Sequence, residues 1–391
     1  MPLASLKNIQ TPAYVADIAA IRANMEKAKR IKKETGIKLL LATKGFAMPA
    51  VFPVMREILD GTTASGLYEA RLGATHFGSE EQGKEVHTYS PAYAEENLKE
   101  ILKYSSHIYF NSIHQLQKFA PLVRAARKNA VIGLRVNPRL PLVKNSALYD
   151  PSAPCSRFGV QKEELTDEVL AQIDLLHVHN LCENLAEDSE KLIDHVRTEF
   201  AFALKKIKHL NLGGGHFYTH KDYDIPRLIA ALKKLKQDFA GTITLEPGAA
   251  HVLNGGYLVA TVLDIIPHAQ KIAILDASAS THMPDVLEVP YTPEIIGAQI
   301  VEQEKASEPN TYILGGNTCM TGDVIGTYKF KKPLEIGHKL IFTDMMQYSF
   351  VKNTTFNGIP LPDLALLHED GRVEIVKHFG YEDFAGRLGQ L

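Results

Sequence analysis

The feature of this sequence that most constrains its fold is the regular return of short apolar runs between residues 38 and 245. Amphipathic helical patterns fill most of the gaps, for example at 112–127, 188–207 and 224–239. Eight alternating units predict an α/β fold with a closed, TIM-like (β/α)8 barrel, although an open doubly wound sheet gives similar alternation. The predicted strands are 38–42, 62–65, 85–89, 107–110, 131–136, 174–178, 209–212 and 242–245.

The pattern changes after about residue 255, where short β-rich runs and turn signals replace the helical patterns. We therefore predict a barrel domain at 16–255 and a mostly β domain at 256–391, which residues 1–15 join as an extra strand. The segment 138–156, rich in Pro, Ser and Asn, is predicted to be a long mobile loop. The predicted strands of the second domain are 257–262, 271–275, 311–314 and 338–343.

The composition excludes several classes of function. A net charge of −2 gives no reason to expect nucleic acid or an anionic membrane surface as a partner. No apolar run approaches the roughly 20 residues that cross a bilayer, and the first residues lack the apolar core of a signal peptide. The three cysteines, Cys155, Cys182 and Cys319, are odd in number and widely spaced, which is typical of a reducing compartment. We expect a cytoplasmic protein.

Lys44, two residues past the first predicted strand, is the first candidate for chemistry. A lysine in a partly apolar pocket loses its proton readily and can form a Schiff base with an aldehyde, although an ordinary surface lysine is the alternative. His177 and His179 end another predicted strand and face the same side of it. His179 could stack on a flat cofactor ring, and His177 could be a core residue. The pair could instead bind a metal, but we find no convincing third ligand.

Gly213-Gly214-Gly215 and Glu246-Pro247-Gly248 follow the last two predicted barrel strands. Glycines let backbone N–H groups approach phosphate oxygens, although a simple left-handed turn is the alternative. The Glu246 carboxylate could keep a pyridine nitrogen protonated, although a strand end with a Pro-Gly turn is the alternative. An amine, an aromatic base, a glycine cradle and a carboxylate are what a barrel needs to hold pyridoxal phosphate covalently.

A glycine-rich loop at 315–323 lies in the predicted second domain. Its Cys319 and Asp323 would suit proton donation and amine binding, although a plain hairpin loop with a buried thiol is the alternative. If this loop acts on the cofactor, it could reach in from a second subunit.

Together these residues resemble the fold type III pyridoxal-phosphate decarboxylases, the group of alanine racemase, ornithine decarboxylase and diaminopimelate decarboxylase. Within that group the resemblance is strongest to the carboxynorspermidine (carboxyspermidine) decarboxylases. The matching segments follow the family's order over nearly the whole chain. They are 11–15, 42–44, 64–69, 156–159, 179–183, 246–248, 275–278, 282–285, 316–323 and 356–358.

The resemblance implies a role for each matching residue. Lys44 would carry the cofactor as a Schiff base, His179 would stack on its ring, and Glu246 would pair with the ring nitrogen. Cys319 would act near the reacting carbon across a homodimer interface. The remaining cofactor contacts would be Gly213, Gly214 and Gly215 at the phosphate, helped by Tyr348, together with Gly248. The substrate's amino groups would bind Glu183, Asp276, Asp285 and Asp323, and its carboxylate would bind Arg157.

The predicted reaction is the decarboxylation of carboxynorspermidine or carboxyspermidine to norspermidine or spermidine, a step of polyamine biosynthesis. Alternatives are decarboxylation of another basic amino acid such as diaminopimelate, racemisation, a non-catalytic pyridoxal-phosphate carrier, and a metal-dependent hydrolase. Relatives acting on ornithine or diaminopimelate usually have arginine where Ala249 stands. Diaminopimelate enzymes tend to have an acid where Met320 stands, which counts against that substrate.

Overall fold

In the computed structural model of the chain, the described residues are 2–143, 150–153 and 155–390. The predicted loop at 138–156 therefore lies partly outside the described residues. Within these ranges, no helix combines the length and the apolar character required to span a bilayer.

The chain divides into two compact units. One consists of Ala23–His251, and the other of Met1–Arg22 together with Val252–Leu391. Strand β1 (Ala13–Asp17) belongs to the second unit. The domain limits drawn at 16–255 and 256–391 remain a prediction.

Eight parallel strands close into a barrel in the first unit. Each strand pairs with the next along the chain, and the last pairs with the first, with Lys38 opposite Thr244. The closed barrel is therefore confirmed over the open sheet, and every predicted strand lies within one residue of an observed one. The strands are β2 (Lys38–Ala42), β3 (Gly61–Ala64), β4 (Glu85–Tyr89), β5 (His107–Phe110), β6 (Val131–Arg135), β7 (Leu175–His177), β8 (His209–Asn211) and β9 (Thr242–Leu245).

Helices separate the barrel strands along the chain. The first begins after Asp17, whose Oδ1 accepts from the Ala20 N–H at 3.1 Å, and ends before Gly36, whose φ of 64° suits a helix terminus. The helices are Ile18–Thr35, Phe52–Arg56, Leu67–Leu72, Glu95–Ile101, Ile113–Ala126, Asp167–Leu170, Ala186–Glu199, Ala201–Leu204, Ile225–Asp238 and Ala249–Val252, with short 3-10 or π turns at Pro49–Val51, Gly73–Phe77, Glu80–Gln82 and Lys162–Glu164.

The predicted continuous helix at 188–207 is wrong in its extent. Phe200 separates Ala186–Glu199 from Ala201–Leu204, because its φ of −110° and ψ of 17° depart from helical values. Its side chain is fully buried, so packing of the aromatic ring accompanies the break. No glycine or proline marks this position in the sequence.

The second unit contains a mixed sheet of nine strands. The strand order is β12-β14-β13-β11-β10-β1-β16-β17, and β15 also pairs with β10. This confirms the mostly β prediction, but β12, β14, β16 and β17 were not predicted. The strands are β10 (Gly256–Ile266), β11 (Ile272–Leu275), β12 (Ala298–Ile300), β13 (Thr311–Gly315), β14 (Val324–Phe330), β15 (Lys339–Thr343), β16 (Asp363–Leu367) and β17 (Val373–Lys377).

Short helices and an apolar cluster complete the second unit. β1 lies between β10, antiparallel to it, and β16, parallel to it, so its side chains help to form this core. The cluster consists of Leu6, Ile9, Ala13, Val15, Val259, Ile341, Ala365 and Leu367. The helices are Pro2–Asn8, Ala279–His282, Asp285–Glu288, Gln303–Ser307, Ser349–Lys352, Phe356–Gly358 and Tyr381–Arg387.

Candidate active site

Lys44 lies in the turn that follows β2, at the carboxyl end of the barrel strands. Its side chain reaches solvent, yet it is surrounded by protein on most sides. Partial desolvation lowers the pKa of Lys44, the nearby Arg135 guanidinium lowers it further, and the Glu246 carboxylate opposes both effects. A neutral amine is therefore available at a lower pH than for an ordinary lysine.

Glu246 directly follows β9 and is only 3% exposed. Asn211 Nδ2 donates to its Oε1 at 2.5 Å, and His177 Nε2 lies 3.4 Å from its Oε2. Burial alone would raise the pKa of Glu246, but His177, His87 and Asn211 together hold it below the usual value. The site thus contains a buried, ionised carboxylate close to the Lys44 amine.

His179 lies two residues past β7 and is half-buried. Arg135 Nη2 donates to its carbonyl oxygen at 3.0 Å, and the Gly214 N–H lies 3.4 Å from its Nδ1. Burial lowers the pKa of His179 well below its ordinary value, and Lys44 and Arg135 lower it further. A neutral imidazole held in this way suits ring stacking.

The three glycines after β8 lie directly against the ends of the neighbouring strands. Gly213 and Gly215 have φ values of 71° and 82°, which side chains rarely allow. A Cβ at Gly215 would lie 2.1 Å from the Leu181 carbonyl oxygen, and one at Gly214 would lie 2.6 Å from the Glu246 carbonyl oxygen. The Gly213 N–H already donates to Asn211 Oδ1 at 2.8 Å. This turn accepts only glycine, and it leaves room for a close backbone approach.

The expectation that no third metal ligand accompanies His177 and His179 is wrong. Donor atoms of His177, His179 and Glu246 lie within 4.8 Å of one another. The positive charges of Lys44 and Arg135 nearby oppose a bound cation. His177 Nδ1 has no hydrogen-bond partner among the described residues, and its Nε2 faces Glu246 Oε2 at 3.4 Å without hydrogen-bond geometry, so this buried polar pocket has room for a further polar partner. A polar, flat cofactor with an amine-reactive aldehyde fits these groups.

Sequence reasoning missed two residues that organise this site. Arg135 ends β6, and its guanidinium lies over the rings of Tyr89 at 4.8 Å and Phe158 at 4.4 Å. Asn211 ends β8 and contacts both Glu246 and the glycine turn. The signal that could have revealed them is their position, since each is a polar residue at the end of an apolar strand.

Three further predicted residues lie in the barrel unit. Arg157 is exposed, and its guanidinium lies 4.4 Å from the Phe158 ring. Glu183 is exposed with a φ of 53°. Gly248 packs against β2, because a Cβ there would lie 2.9 Å from the Ala42 carbonyl oxygen.

Cys319 and Asp323 lie in one loop of the second unit. Cys319 is exposed, and its N–H donates to Asn357 Oδ1 at 2.9 Å. This contradicts the alternative of a buried thiol. The Asp323 carboxylate is buried and accepts from Ser278 Oγ at 2.8 Å and from Thr318 Oγ1 at 2.5 Å. Asp323 therefore holds the loop that presents Cys319.

The other predicted site residues of the second unit differ in how many of their polar atoms form hydrogen bonds. Both oxygens of Asp276 are engaged, by Thr11 Oγ1 at 2.6 Å and by the Thr261 N–H at 2.7 Å. Asp285 is buried, with its Oδ2 accepting from Tyr291 and Ser349, while its Oδ1 has no hydrogen-bond partner within the described part of the chain. Tyr348 is half-buried, and its φ is 43°.

This fold and this site define a class of enzyme. The family described as pyridoxal-dependent decarboxylase, C-terminal sheet domain, matches residues 13–346. The chain belongs to this family of pyridoxal-dependent decarboxylases. The predicted cofactor, pyridoxal 5'-phosphate, and the predicted reaction class are thereby confirmed, and the non-catalytic carrier is disfavoured.

Relatives narrow the family further. The carboxynorspermidine/carboxyspermidine decarboxylase of Campylobacter jejuni is 41% identical over 388 residues, covering 97% of this chain and 99% of that protein. The carboxyaminopropylagmatine decarboxylase of a Synechocystis strain is 39% identical, covering 98% and 97%. The resemblance predicted from the sequence is confirmed.

Solved structures agree with this placement. The crystal structure of carboxynorspermidine decarboxylase from Campylobacter jejuni, complexed with norspermidine, has a TM-score of 0.88 at 38% identity, covering 97% of this chain and all of that one. The diaminopimelate decarboxylase of Helicobacter pylori, complexed with L-lysine, has a TM-score of 0.79 at 16% identity, which shows a shared fold alone.

Proposed function

We propose that this chain decarboxylates carboxynorspermidine or carboxyspermidine, releasing norspermidine or spermidine, with pyridoxal phosphate bound at Lys44. One observation carries the proposal: Lys44, His179 and the buried Glu246 follow β2, β7 and β9 at one end of the barrel, where their surroundings lower the pKa of each. They do so in a chain 41% identical, over nearly its full length, to a relative that bears this name.

Lys44, Glu246 and His179 of the barrel unit would each have a different role in binding the cofactor. The bound cofactor supplies an electron sink for the pair released when carbon dioxide leaves. Lys44 offers the neutral amine that anchors the cofactor. Glu246 would accept a hydrogen bond from the protonated pyridine nitrogen, and its own ionised state would keep that proton in place. His179 would cover one face of the ring and leave the other face to the substrate.

The phosphate group would lie at the glycine turn, with Gly248 near the cofactor. The Gly213 N–H is engaged by Asn211 and the Gly214 N–H faces His179 Nδ1, so Gly215 supplies the open backbone while Gly213 fixes the turn. Tyr348 adds a hydroxyl at the phosphate.

Acidic side chains would bind the substrate's ammonium groups through charge-assisted hydrogen bonds. Asp285 is the best supported, because one of its buried oxygens has no partner among the described residues. Glu183 is exposed and accessible, whereas Asp276 and Asp323 hold their own unit together and would act through it. Arg157 would bind the substrate carboxylate, and Cys319 or Lys44 would return a proton to the reacting carbon.

A second candidate substrate is carboxyaminopropylagmatine. The observation that favours it is the 39% identity to the Synechocystis enzyme of that name, close to the value for the Campylobacter enzyme. An agmatine unit ends in a planar guanidinium, which pairs with a carboxylate through two parallel hydrogen bonds, whereas an ammonium acts as a point charge.

We propose a homodimer with shared active sites, in which Cys319 acts on the partner's cofactor, and a cytoplasmic location. The exposure of the Cys319 loop supports the first proposal, and the three scattered free cysteines support the second. The small net charge supports a small-molecule substrate over a nucleic acid.

The test combines substrate profiling with chemical mapping. Purified protein supplied with pyridoxal phosphate should release carbon dioxide from carboxynorspermidine, carboxyspermidine or carboxyaminopropylagmatine far faster than from diaminopimelate. Borohydride reduction followed by peptide mass mapping should place the pyridoxyl group on Lys44. An adduct on any other lysine, or equal rates with diaminopimelate, would contradict the proposal.

A further inference from the structure

A column of polar side chains runs through the interior of the barrel towards Glu246. Interiors of such barrels are ordinarily filled by apolar layers, and a buried polar group is costly unless it is fully bonded. His87, Tyr109 and Asn211 are each at most 1% exposed. The column consists of Glu85 and His87 of β4, Tyr109 of β5 and Asn211 of β8, and of these only His87 and Asn211 were described above, as neighbours of Glu246.

The contacts along the column are continuous. Asn211 Nδ2 lies 2.5 Å from Glu246 Oε1 and 3.1 Å from the Tyr109 hydroxyl. That hydroxyl forms a short hydrogen bond with His87 Nδ1. His87 Nε2 in turn lies 3.1 Å from Glu85 Oε2. The column therefore links the amino ends of the strands to the carboxylate at their carboxyl ends.

The donors between Asn211 and Glu85 all point towards Glu85, and Asn211 also donates in the opposite direction, to Glu246. The Glu85 carboxylate only accepts, so His87 donates to it from Nε2 and accepts the Tyr109 O–H at Nδ1. The Tyr109 oxygen then accepts one Asn211 N–H, and the second Asn211 N–H goes to Glu246. The Gly213 N–H on Asn211 Oδ1 fixes the orientation of that amide.

Glu85 anchors the far end of the column. The Lys38 ammonium pairs with its second oxygen through a short contact. Burial would raise the pKa of Glu85, but His87, His107 and Lys38 hold it far below its usual value. The carboxylate at this end is therefore ionised and fixes which nitrogen of His87 carries the proton.

We propose that His87, Tyr109 and Asn211 are positioning residues that hold Glu246 as an oriented, ionised acceptor for the pyridine nitrogen of the cofactor, with Glu85 as their anchor. This inference rests on the proposed function, because it assigns the column to the same cofactor. The column does not conduct a proton, since the Asn211 amide cannot pass one on. It acts by orientation and by excluding a competing proton from Glu246.

The competing proton would come from His87. Its Nδ1 lies 3.9 Å from Glu246 Oε1. In the wild-type protein this nitrogen accepts a hydrogen bond from the Tyr109 hydroxyl and therefore carries no proton. Without the hydroxyl, a proton on Nδ1 would pair with Glu246 and weaken its hold on the cofactor nitrogen. Other groups that face the column remain unchanged. They are His177, Lys44 and Arg135 around Glu246, and Lys38, His209 and the His107 ring, which stacks on His87 at 3.7 Å, around the other end.

The test compares Tyr109→Phe with Tyr218→Phe. Tyr218 is equally buried in the same unit, and its hydroxyl lies 2.7 Å from His251 Nδ1, but no bond connects that pair to Glu246 within the described residues. The readout is the nitrogen-15 resonance of ring-labelled pyridoxal phosphate in the holoenzyme as a function of pH. In Tyr109→Phe the ring nitrogen should lose its proton about one pH unit lower or more, and kcat should fall about tenfold with little change in KM.

Tyr218→Phe should keep the wild-type profile. Coincident profiles for Tyr109→Phe, Tyr218→Phe and wild type would overturn the inference, since a purely structural role changes stability and leaves ring protonation alone. Glu85→Gln, at a half-buried position, provides a second variant that should shift the profile in the same direction, and an unchanged profile there also counts against the column. If wild-type protein fails to attach the cofactor at Lys44, the proposed function fails instead.

Discussion

Lys44 illustrates how a barrel prepares an amine for reaction. Its side chain keeps access to solvent, which the incoming cofactor requires, while the surrounding protein and Arg135 penalise its charged form. Glu246 nearby opposes this effect only partly. The same cluster therefore lowers the pKa of a lysine and the pKa of a carboxylate, which eases loss of a proton from both.

The lowered pKa of Lys44 predicts how the rate of cofactor attachment depends on pH. Only the neutral amine attacks an aldehyde, and a folded-state pKa below 10.5 means that this form appears at lower pH than in an ordinary lysine. The rate of cofactor attachment to apoprotein should therefore rise with pH and level off below 10.5, as followed by absorbance after mixing.

Two variants test this cause. Lys44→Arg should show no attachment, since a guanidinium stays charged. Arg135→Gln should move the midpoint upwards, because it removes a positive neighbour. A midpoint at or above 10.5 in the wild-type protein would show that the barrel does not tune this amine.

Some of this site could be predicted from the sequence and some could not. Lys44, His179 and Glu246 each follow a strand with clear apolar periodicity, so their common location follows from the topology of a parallel barrel. The contacts of Arg135, Asn211 and the polar column that leads to Glu246 join different strands. Periodicity along one strand shows which face a residue takes, but not which side chain of another strand it meets.

The glycine turn after β8 is a feature of the element scale, where backbone conformation and packing act together. Gly215 has both a positive φ and a carbonyl oxygen 2.1 Å from any added Cβ. Gly83 in the same unit has a φ of 69° but open space around its Cβ position. Comparing Gly83 with Gly215 therefore separates two contributions to the free energy of unfolding: the strain of a positive φ, and the clash of an added Cβ with neighbouring backbone.

Gly215→Ala should therefore destabilise the protein far more than Gly83→Ala. We expect Gly83→Ala to cost about 1–2 kcal/mol in the free energy of unfolding, and Gly215→Ala to cost about 2–5 kcal/mol because overpacking adds to it. Denaturant unfolding measures both. Cofactor affinity should fall only in Gly215→Ala, and equal effects at the two positions would contradict a role for the close packing.

At the same scale, the sequence predicted the barrel strands better than the sheet of the second unit. The barrel strands are buried apolar runs separated by helical patterns, which give a strong signal. β12 has a mostly exposed pattern, Ala298-Gln299-Ile300, and β17, Val373-Glu-Ile-Val-Lys377, mixes charged and apolar residues without a fully buried position. Strands of this kind form because a partner strand is present, and the local sequence does not report the partner.

At the scale of the whole molecule, the proposed homodimer with shared sites predicts complementation. Lys44→Arg and Cys319→Ala should each be nearly inactive alone. Mixed under conditions that exchange subunits, about half of the dimers should contain one chain of each, with one of two sites intact, so about a quarter of the wild-type activity should return.

Light scattering in line with size-exclusion chromatography measures the molecular mass of the protein in solution and so tests whether it is a dimer. Mixing wild-type protein with an equal amount of the double variant, Lys44→Arg with Cys319→Ala, serves as the control for subunit exchange. If the two single variants regain no activity although exchange occurs, Cys319 serves the cofactor of its own chain or none.

The pairing of β1 with β10 and β16 has a consequence for biosynthesis. Ala13 lies opposite Val259 on one side and Asp363 on the other. When the ribosome has made β1, neither of its neighbours exists, because both follow the barrel along the chain. The nascent chain must therefore keep an apolar strand unpaired while the barrel is translated, so the sheet is completed only after the barrel has been made.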